Sequence, residues 1–347
     1  MFESLGFETL TAPQAAIWFA VMLGVAFGAL AQVTRFCLRR ALVGEDRRQA
    51  AGVWLTALAV AVLGTQGAVA QGWIGFGDHR FMASELPVLA IVAGGLMFGA
   101  GMVLTRGCIS RLTVLSGSGN LRALLAVLVF AVTAHAALKG VLAPLRTSLG
   151  SFTLSLDSAA LPGNPLIWTA LIAFGALAFA LRSGNRPVML GLAALIGLLA
   201  PLAWVGTGYV LYDDFDPIAM QSLSFTSPAA DSLFYTVASS AIPAGFGTGL
   251  VGGVLMGALA AALLSGGFVW QSFESPRQTG RYMAGAVLMG LGGVLAGGCT
   301  VGAGLSGVPT LSVAAVLAIL SIVAGGLITD RALRGAPLRL AHPHPAE

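Results

Sequence analysis

Apolar runs of about 20 residues recur along nearly the whole chain with only short polar breaks between them, and each is long enough to cross a hydrocarbon layer about 30 Å thick. A chain built this way is expected to be an all-α polytopic membrane protein. Only 9% of its 347 residues are charged, against about 25% in an average soluble domain. No room remains for a sizeable soluble domain.

Nine spans are expected, at about 15–36, 50–70, 88–106, 121–142, 165–182, 188–210, 247–267, 281–297 and 312–330. The segment Met1–Gln14 carries Glu3 and Glu8 and no Lys or Arg, and the run after it is too long for a signal-peptide core, so it reads as a retained helix. An odd number of spans puts the termini on opposite sides. Loops after spans 1, 3, 5 and 7 and the C-terminal tail hold fifteen of the eighteen basic residues, and the opposite side holds only Arg80, Lys139 and Arg146. By the positive-inside bias the N-terminus is outside and the C-terminus cytoplasmic. The bases stand singly or in small groups at span ends, which speaks for orientation in a bilayer and against a nucleic-acid partner. The tail 331–347, with His342 and His344, reads as a solvated, disordered end.

A repeat shapes the fold expectation. Gly94–Ile109 laid over Gly285–Thr300 matches at seven of sixteen positions, including Gly107/Gly298 and Cys108/Cys299. Leu23–Leu38 is a third copy, in which Gly24, Phe27, Gly28, Ala29, Thr34, Arg35 and Cys37 match Gly95, Phe98, Gly99, Ala100, Thr105, Arg106 and Cys108. All three cysteines of the chain therefore end the same kind of segment. A weaker fourth copy over Met189–Trp204 would put Trp204 in the cysteine's place. Two copies fall in a first half, 15–142, and two in a second half, 188–330. The single helix 165–182 between them turns the second half over in the bilayer, the inverted-repeat build of many transporters.

The cysteines admit several roles. Free cysteine is a common small apolar filler, but a shared position in three copies favours a joint function. Three thiols without a CxxC disfavour a disulfide framework, and no histidine or acid cluster accompanies them to make a metal site. What remains is a row of thiols that a passing ligand could touch. Gly94, Gly95, Gly99, Gly101, Gly290, Gly292 and Gly293 read as helix-packing positions. The runs RGC and GGCTVGAGLSG, with Gly107, Gly298 and Thr300, are too glycine-rich to continue a regular helix, and suggest breaks whose freed N–H groups attract anions. Arg35 and Arg106, each two residues before a cysteine, are either cytoplasmic-end anchors or groups that draw an anion, and Arg111 is similar. His135 and Lys139 lie one turn apart in span 4, where ionisable groups tend to be functional, although Lys139 is near the outer end and can snorkel.

The chain contains no GxxxxGK[ST] phosphate loop, no HExxH and no paired intramembrane carboxylates. ATP hydrolysis by the chain itself is not expected, and no cofactor is indicated.

The segments QVTRFCLRRAL (32–42), TRGCISRLTVLSGSGNLRAL (105–124) and GGCTVGAGLSG (297–307) resemble the three cysteine motifs of the YeeE/YedE sulphur-transport family. The similarity runs over essentially the whole chain. It implies an hourglass-shaped inner-membrane protein with short re-entrant helices reaching the middle from both faces, importing thiosulfate without being an enzyme. It further implies a narrow path lined by Cys37, Cys108 and Cys299, which hand the anion along by thiol hydrogen bonds, and a separate small sulphur-carrier protein of the TusA type as a partner. Ala303 stands where many relatives carry histidine. The alternatives are a membrane thiol or sulfane-sulphur oxidoreductase, a permease subunit needing a partner ATPase, or a carrier of another sulphur or selenium compound.

Overall fold

The structure is a computed structural model that describes residues 10–213 and 215–335. The first residues, with Glu3 and Glu8, and the tail from residue 336, with Arg339, His342 and His344, lie outside the described residues.

Each expected span is a helix: α1 (Ala12–Thr34), α3 (Arg47–Ala70), α4 (Val88–Leu104), α6 (Leu121–Lys139), α8 (Pro165–Leu181), α9 (Pro187–Val205), α11 (Phe246–Leu264), α12 (Pro276–Leu295) and α13 (Val313–Gly335). Among the described residues eight helical segments are long and apolar enough to cross a membrane, and α8, at 17 residues, is a shorter ninth. Between the spans lie the short helices α2 (Leu38–Val43), α5 (Ile109–Gly117), α7 (Ala143–Gly150) and α10 (Thr226–Val237). A π-helical stretch, Thr300–Gly307, runs into a 3₁₀ turn, Val308–Thr310. The one two-stranded sheet among the described residues joins β1 (Glu85–Leu86) antiparallel to β2 (Leu154–Ser155), with Glu85 opposite Ser155, and isolated bridges link Asn120 with Gln271 and Ala160 with Ser312.

Several ends follow simple rules. Pro sits in the first turn of α1, α8, α9 and α12, where its missing N–H goes unnoticed. Asn120, Asn164 and Ser275 cap α6, α8 and α12 by accepting from Ala123, Leu166 and Gln278 N–H.

Lipid provides no hydrophobic drive between helices, so close backbone packing at small residues must hold the bundle. Gly24 and Gly28 of α1 lie against the Leu250 and Val254 carbonyls, while Gly253 and Gly257 of α11 lie against the Val21 and Val25 carbonyls. Both series ascend together, so α1 and α11 run parallel. Gly94 faces Gly292 and Ala296 whereas Gly101 faces Gly285 and Met289, so α4 and α12 run antiparallel.

The neighbour pattern has a symmetry. Exchanging α1 with α9, α2 with α10, α3 with α11, α4 with α12 and α6 with α13 turns the pair α1/α11 into α9/α3. It turns α4/α13 into α12/α6 and α2/α3 into α10/α11, all of them packed pairs, and leaves α4/α12 and α1/α9 unchanged. Under this exchange the partner of α2 is α10, which begins after Phe225. The suggested fourth copy is therefore misplaced: α9 runs through Trp204 without a break, and the indole N–H donates to the Ser306 carbonyl. Phe225, at the cap of α10, holds the position that Cys37 holds at the cap of α2.

Candidate functional site: three thiols between two cavities

One backbone device recurs three times. A long helix closes with a left-handed residue, one residue follows, and a cysteine then caps the next helical segment. The left-handed residues are Arg35 (φ 54°), Arg106 (φ 58°) and Gly297 (φ 71°), and the caps are Cys37, Cys108 and Cys299. In the first two copies the amide beyond the left-handed residue reaches five residues back, Phe36 to Ala31 O at 3.2 Å and Gly107 to Met102 O at 3.1 Å, which is a Schellman closure. The preceding threonines bond back into the helix, Thr34 to Leu30 O at 2.8 Å and Thr105 to Gly101 O at 2.9 Å.

This geometry corrects the reading of the glycines. Neither Gly107 nor Gly298 has positive φ; the breaks fall one residue earlier, and in two copies on an arginine. A Cβ on Gly107 would make only an ordinary contact with Leu112, at 3.4 Å, whereas one on Gly298 would lie 3.0 Å from the Ala303 nitrogen. Gly298 thus serves close approach rather than chain freedom.

The breaks bring the three thiols together. Cys37 and Cys108 face each other closely enough for their side chains to interact, and Cys108 also engages Thr300. The Cys108 sulfur lies 3.3 Å from Ser110 Oγ. The Cys299 sulfur accepts from Gly302 N–H at 3.3 Å and is also approached by the Phe225 N–H. The amides three residues beyond Cys37 and Cys108, those of Arg40 and Arg111, point at their sulfurs too, without reaching capping geometry. A sulfur that accepts from an amide keeps its own S–H free to donate elsewhere.

All three thiols are shut off from solvent, with exposures of 6%, 1% and 0%. Phe27 closes the packing around them, with its ring centroid 6.1 Å from Phe36 and 5.4 Å from Phe225. No group of three or more His, Cys, Asp or Glu that could hold a metal occurs among the described residues.

A cavity lies on each side of this neck. The first, about 1030 Å³, opens between the end of α6 and the start of α11, is lined by His79, Arg80, Lys139, Ser224 and Asp231, and reaches Gly302 and Ser306 beside Cys299. The second, about 580 Å³, opens at the opposite ends of the same two helices and is lined by Gln32, Arg35, Arg111, Ser118, Asn120 and Gln271.

The arginines differ in place. Arg35 is exposed and borders the second cavity, while Arg106 is exposed and lines neither cavity among the described residues. Arg111, left open on sequence between anchor and anion-drawing group like the other two, is the one whose charge faces Cys37 and Cys108. Its guanidinium donates to Ala31 O at 3.1 Å and Gln32 Oε1 at 3.4 Å, which holds it at the neck. On the other side Arg80 is the basic residue whose charge reaches Cys299. Beside it His79 packs edge-on against Trp204 at 5.0 Å, and burial together with the Arg80 charge lowers its pKa to about 4, so it is neutral at ordinary pH. The sequence signal for Arg80 was its rarity as a base on that side; Ser224 and Phe225 had no signal beyond their place before α10.

Among the described residues, eight helices long and apolar enough to cross a membrane, a shorter ninth and three broken segments define a polytopic helical membrane protein. The profile of the family described as Sulphur transport matches residues 26–328, and the chain belongs to that family. It is similar to the thiosulfate transporter TsuA of Escherichia coli, with 27% identity over 317 residues covering 82% of this chain and 85% of that protein. It is also similar to the thiosulfate transporter TsuA of Spirochaeta thermophila, with 28% identity over 338 residues covering 89% and 96%.

Proposed function

We propose that this chain imports thiosulfate across the bacterial cytoplasmic membrane through the thiol neck, with Cys37, Cys108 and Cys299 as successive hydrogen-bond donors. The observation that carries this reading is the placement of three buried thiols, each capping an inserted segment, between a cavity bordered by Arg80 and Lys139 and one bordered by Arg35 and Arg111. The basic-residue bias supports the first cavity as the outer one, with the N-terminus outside and the C-terminus cytoplasmic. The exchange symmetry of the packing supports two inverted halves, 15–142 and 188–330, joined by α8.

A doubly charged anion is costly to bury, so it needs donors spaced along its route. Fixed arginines throughout would hold it too tightly to release. Arg80 draws the ion inward from one side and Arg111 receives it on the other. Between them neutral S–H groups, Ser110 and Thr300 donate weakly enough for the ion to leave each in turn. The start of α5 adds the positive end of a helix dipole at Cys108. The second cavity, rimmed by Gln32, Asn120 and Gln271, is where a separate TusA-type sulphur carrier would collect the product.

The test is growth of a sulphur auxotroph on thiosulfate as sole sulphur source with each cysteine changed to alanine. Loss of growth in the Cys108→Ala strain, with normal growth on cysteine and normal membrane expression, is expected. Normal growth of all three variants on thiosulfate would overturn the thiol path.

A further inference from the structure

Two features of the first cavity are not used by the path: a carboxylate on its wall and a histidine behind it. Asp231 and Phe234 lie one turn apart on α10 and face His135 and Lys139, one turn apart on α6. The His135 ring stacks on Phe234 with centroids 3.6 Å apart and planes 22° from parallel. His135 Nδ1 is buried and has no hydrogen-bond partner among the described residues, while Asp231 and Lys139 open onto the cavity. His135 is thus held by stacking with a ring nitrogen unbonded, on the helix face across from the Asp231 carboxylate.

The groups around the cluster are few. From α7 Arg146 bonds the Ala137 carbonyl, below Lys139. The helix α11 carries no titratable side chain. Arg277, Arg281 and Tyr282 of α12 belong to the opposite end of the bundle, where Arg122 pairs with Glu274. Asp78, next to His79 and Arg80, is the other carboxylate lining the cavity. A single carboxylate flanked by Lys and His is no site for a metal cation, so the ligand that fits is the proton.

We propose that Asp231 and His135 form a proton-binding site linked to anion binding in this cavity, a reading that rests on the cavity being the outer thiosulfate vestibule. With Asp231 ionised, its negative charge faces the same space the dianion must occupy. Protonation of the pair removes that charge and leaves Arg80 and Lys139 to attract the ion. Linkage is reciprocal, so thiosulfate binding must in turn raise the proton affinity of the pair. A dianion moving inward also runs against an interior-negative potential, and the work doubles with its charge. A site that binds the ion together with a proton reduces the charge that approaches the neck.

The test uses purified full-length protein, with two readouts. In weakly buffered detergent solution, adding sodium thiosulfate to the wild type is expected to withdraw protons from the medium, and adding it to Asp231→Asn is not. In proteoliposomes, the wild-type KM for thiosulfate is expected to fall several-fold as the outside pH is lowered from about 8 to about 6, and Asp231→Asn to hold the low-pH KM throughout. His135→Gln is expected to fold normally and to shift the midpoint of the KM profile. Proton withdrawal undiminished in Asp231→Asn, no withdrawal by wild type that binds thiosulfate, or an unshifted midpoint in both variants overturns the proposal. Wild type that neither binds nor transports thiosulfate at any pH instead overturns the transport reading.

Discussion

Replacing single glycines of α11 by alanine separates helix packing from helix propensity on one element. A Cβ at Gly257 would lie 2.1 Å from the Val25 carbonyl oxygen, whereas one at Gly252 meets nothing within 4 Å. Ordinary contact begins near 3.4 Å, so Gly257→Ala must push α1 and α11 apart by about an ångström or bend one of them. Overpacking of that kind costs about 1–3 kcal/mol. Gly252→Ala meets no obstacle and gains helix propensity, about 0.5–1 kcal/mol. The two effects have opposite signs, so the variants differ in stability by about 1.5–4 kcal/mol. The assay is thermal unfolding in detergent followed by fluorescence-detected gel filtration, with thiosulfate uptake measured alongside. Because α1 leads into the Arg35–Cys37 break, Gly257→Ala is also expected to reduce uptake more than its loss of stability alone accounts for. Equal stability and uptake in the two variants would refute the claim that backbone contact at glycine sets the α1/α11 spacing.

Three further outcomes are expected. Arg106→Gly relieves a left-handed non-glycine residue, worth about 1–2 kcal/mol before the greater freedom of glycine in the unfolded chain offsets part of it; it is therefore expected to raise the unfolding temperature relative to Arg106→Ala while leaving uptake unchanged, since Arg106 lines neither cavity among the described residues. Arg111→Met is expected to lower the uptake rate at least tenfold with little change in unfolding temperature, a difference read by parallel transport and melting assays. His79 stays neutral down to about 4 while an unfolded histidine protonates near 6.5, so the unfolded state binds the extra proton across that window and stability falls as pH is lowered through it; a pH series of melting temperatures is expected to show that slope and His79→Asn to flatten it.

The nine helices were legible because apolar length is a strong signal, and each expected span lies within a few residues of a helix. The repeat was legible for the same reason in its cysteine copies, where Thr34–Arg35 and Thr105–Arg106 build the same closure. It failed at Trp204 because glycine and leucine matches within a continuous helix carry no register; the break comes after residue 210, where no cysteine marks it. Sequence proximity did not distinguish the arginines. Arg35 and Arg106 adjoin the motif as exposed left-handed caps, Arg35 at the rim of the second cavity, while the charge of Arg111, near the start of α5, faces the thiols. Arg80 lies 219 positions from Cys299 in the chain and meets it only through the fold. The stacking of His135 on Phe234 depends on α10 packing against α6, a contact between segments nearly 100 residues apart that no local pattern announces.

If the thiols act as hydrogen-bond donors to a passing anion, uptake must depend on the donor at each position. The direct measurement is thiosulfate uptake into proteoliposomes by Cys37, Cys108 and Cys299 variants, each as alanine and as serine. Alanine removes the donor; serine keeps one of similar size and cannot form a disulfide or a persulfide. Cys108→Ala is expected to abolish uptake and Cys108→Ser to retain a measurable fraction, with the same order at Cys37 and Cys299. Full uptake by the alanine variants, or serine variants as inactive as alanine ones, would contradict it.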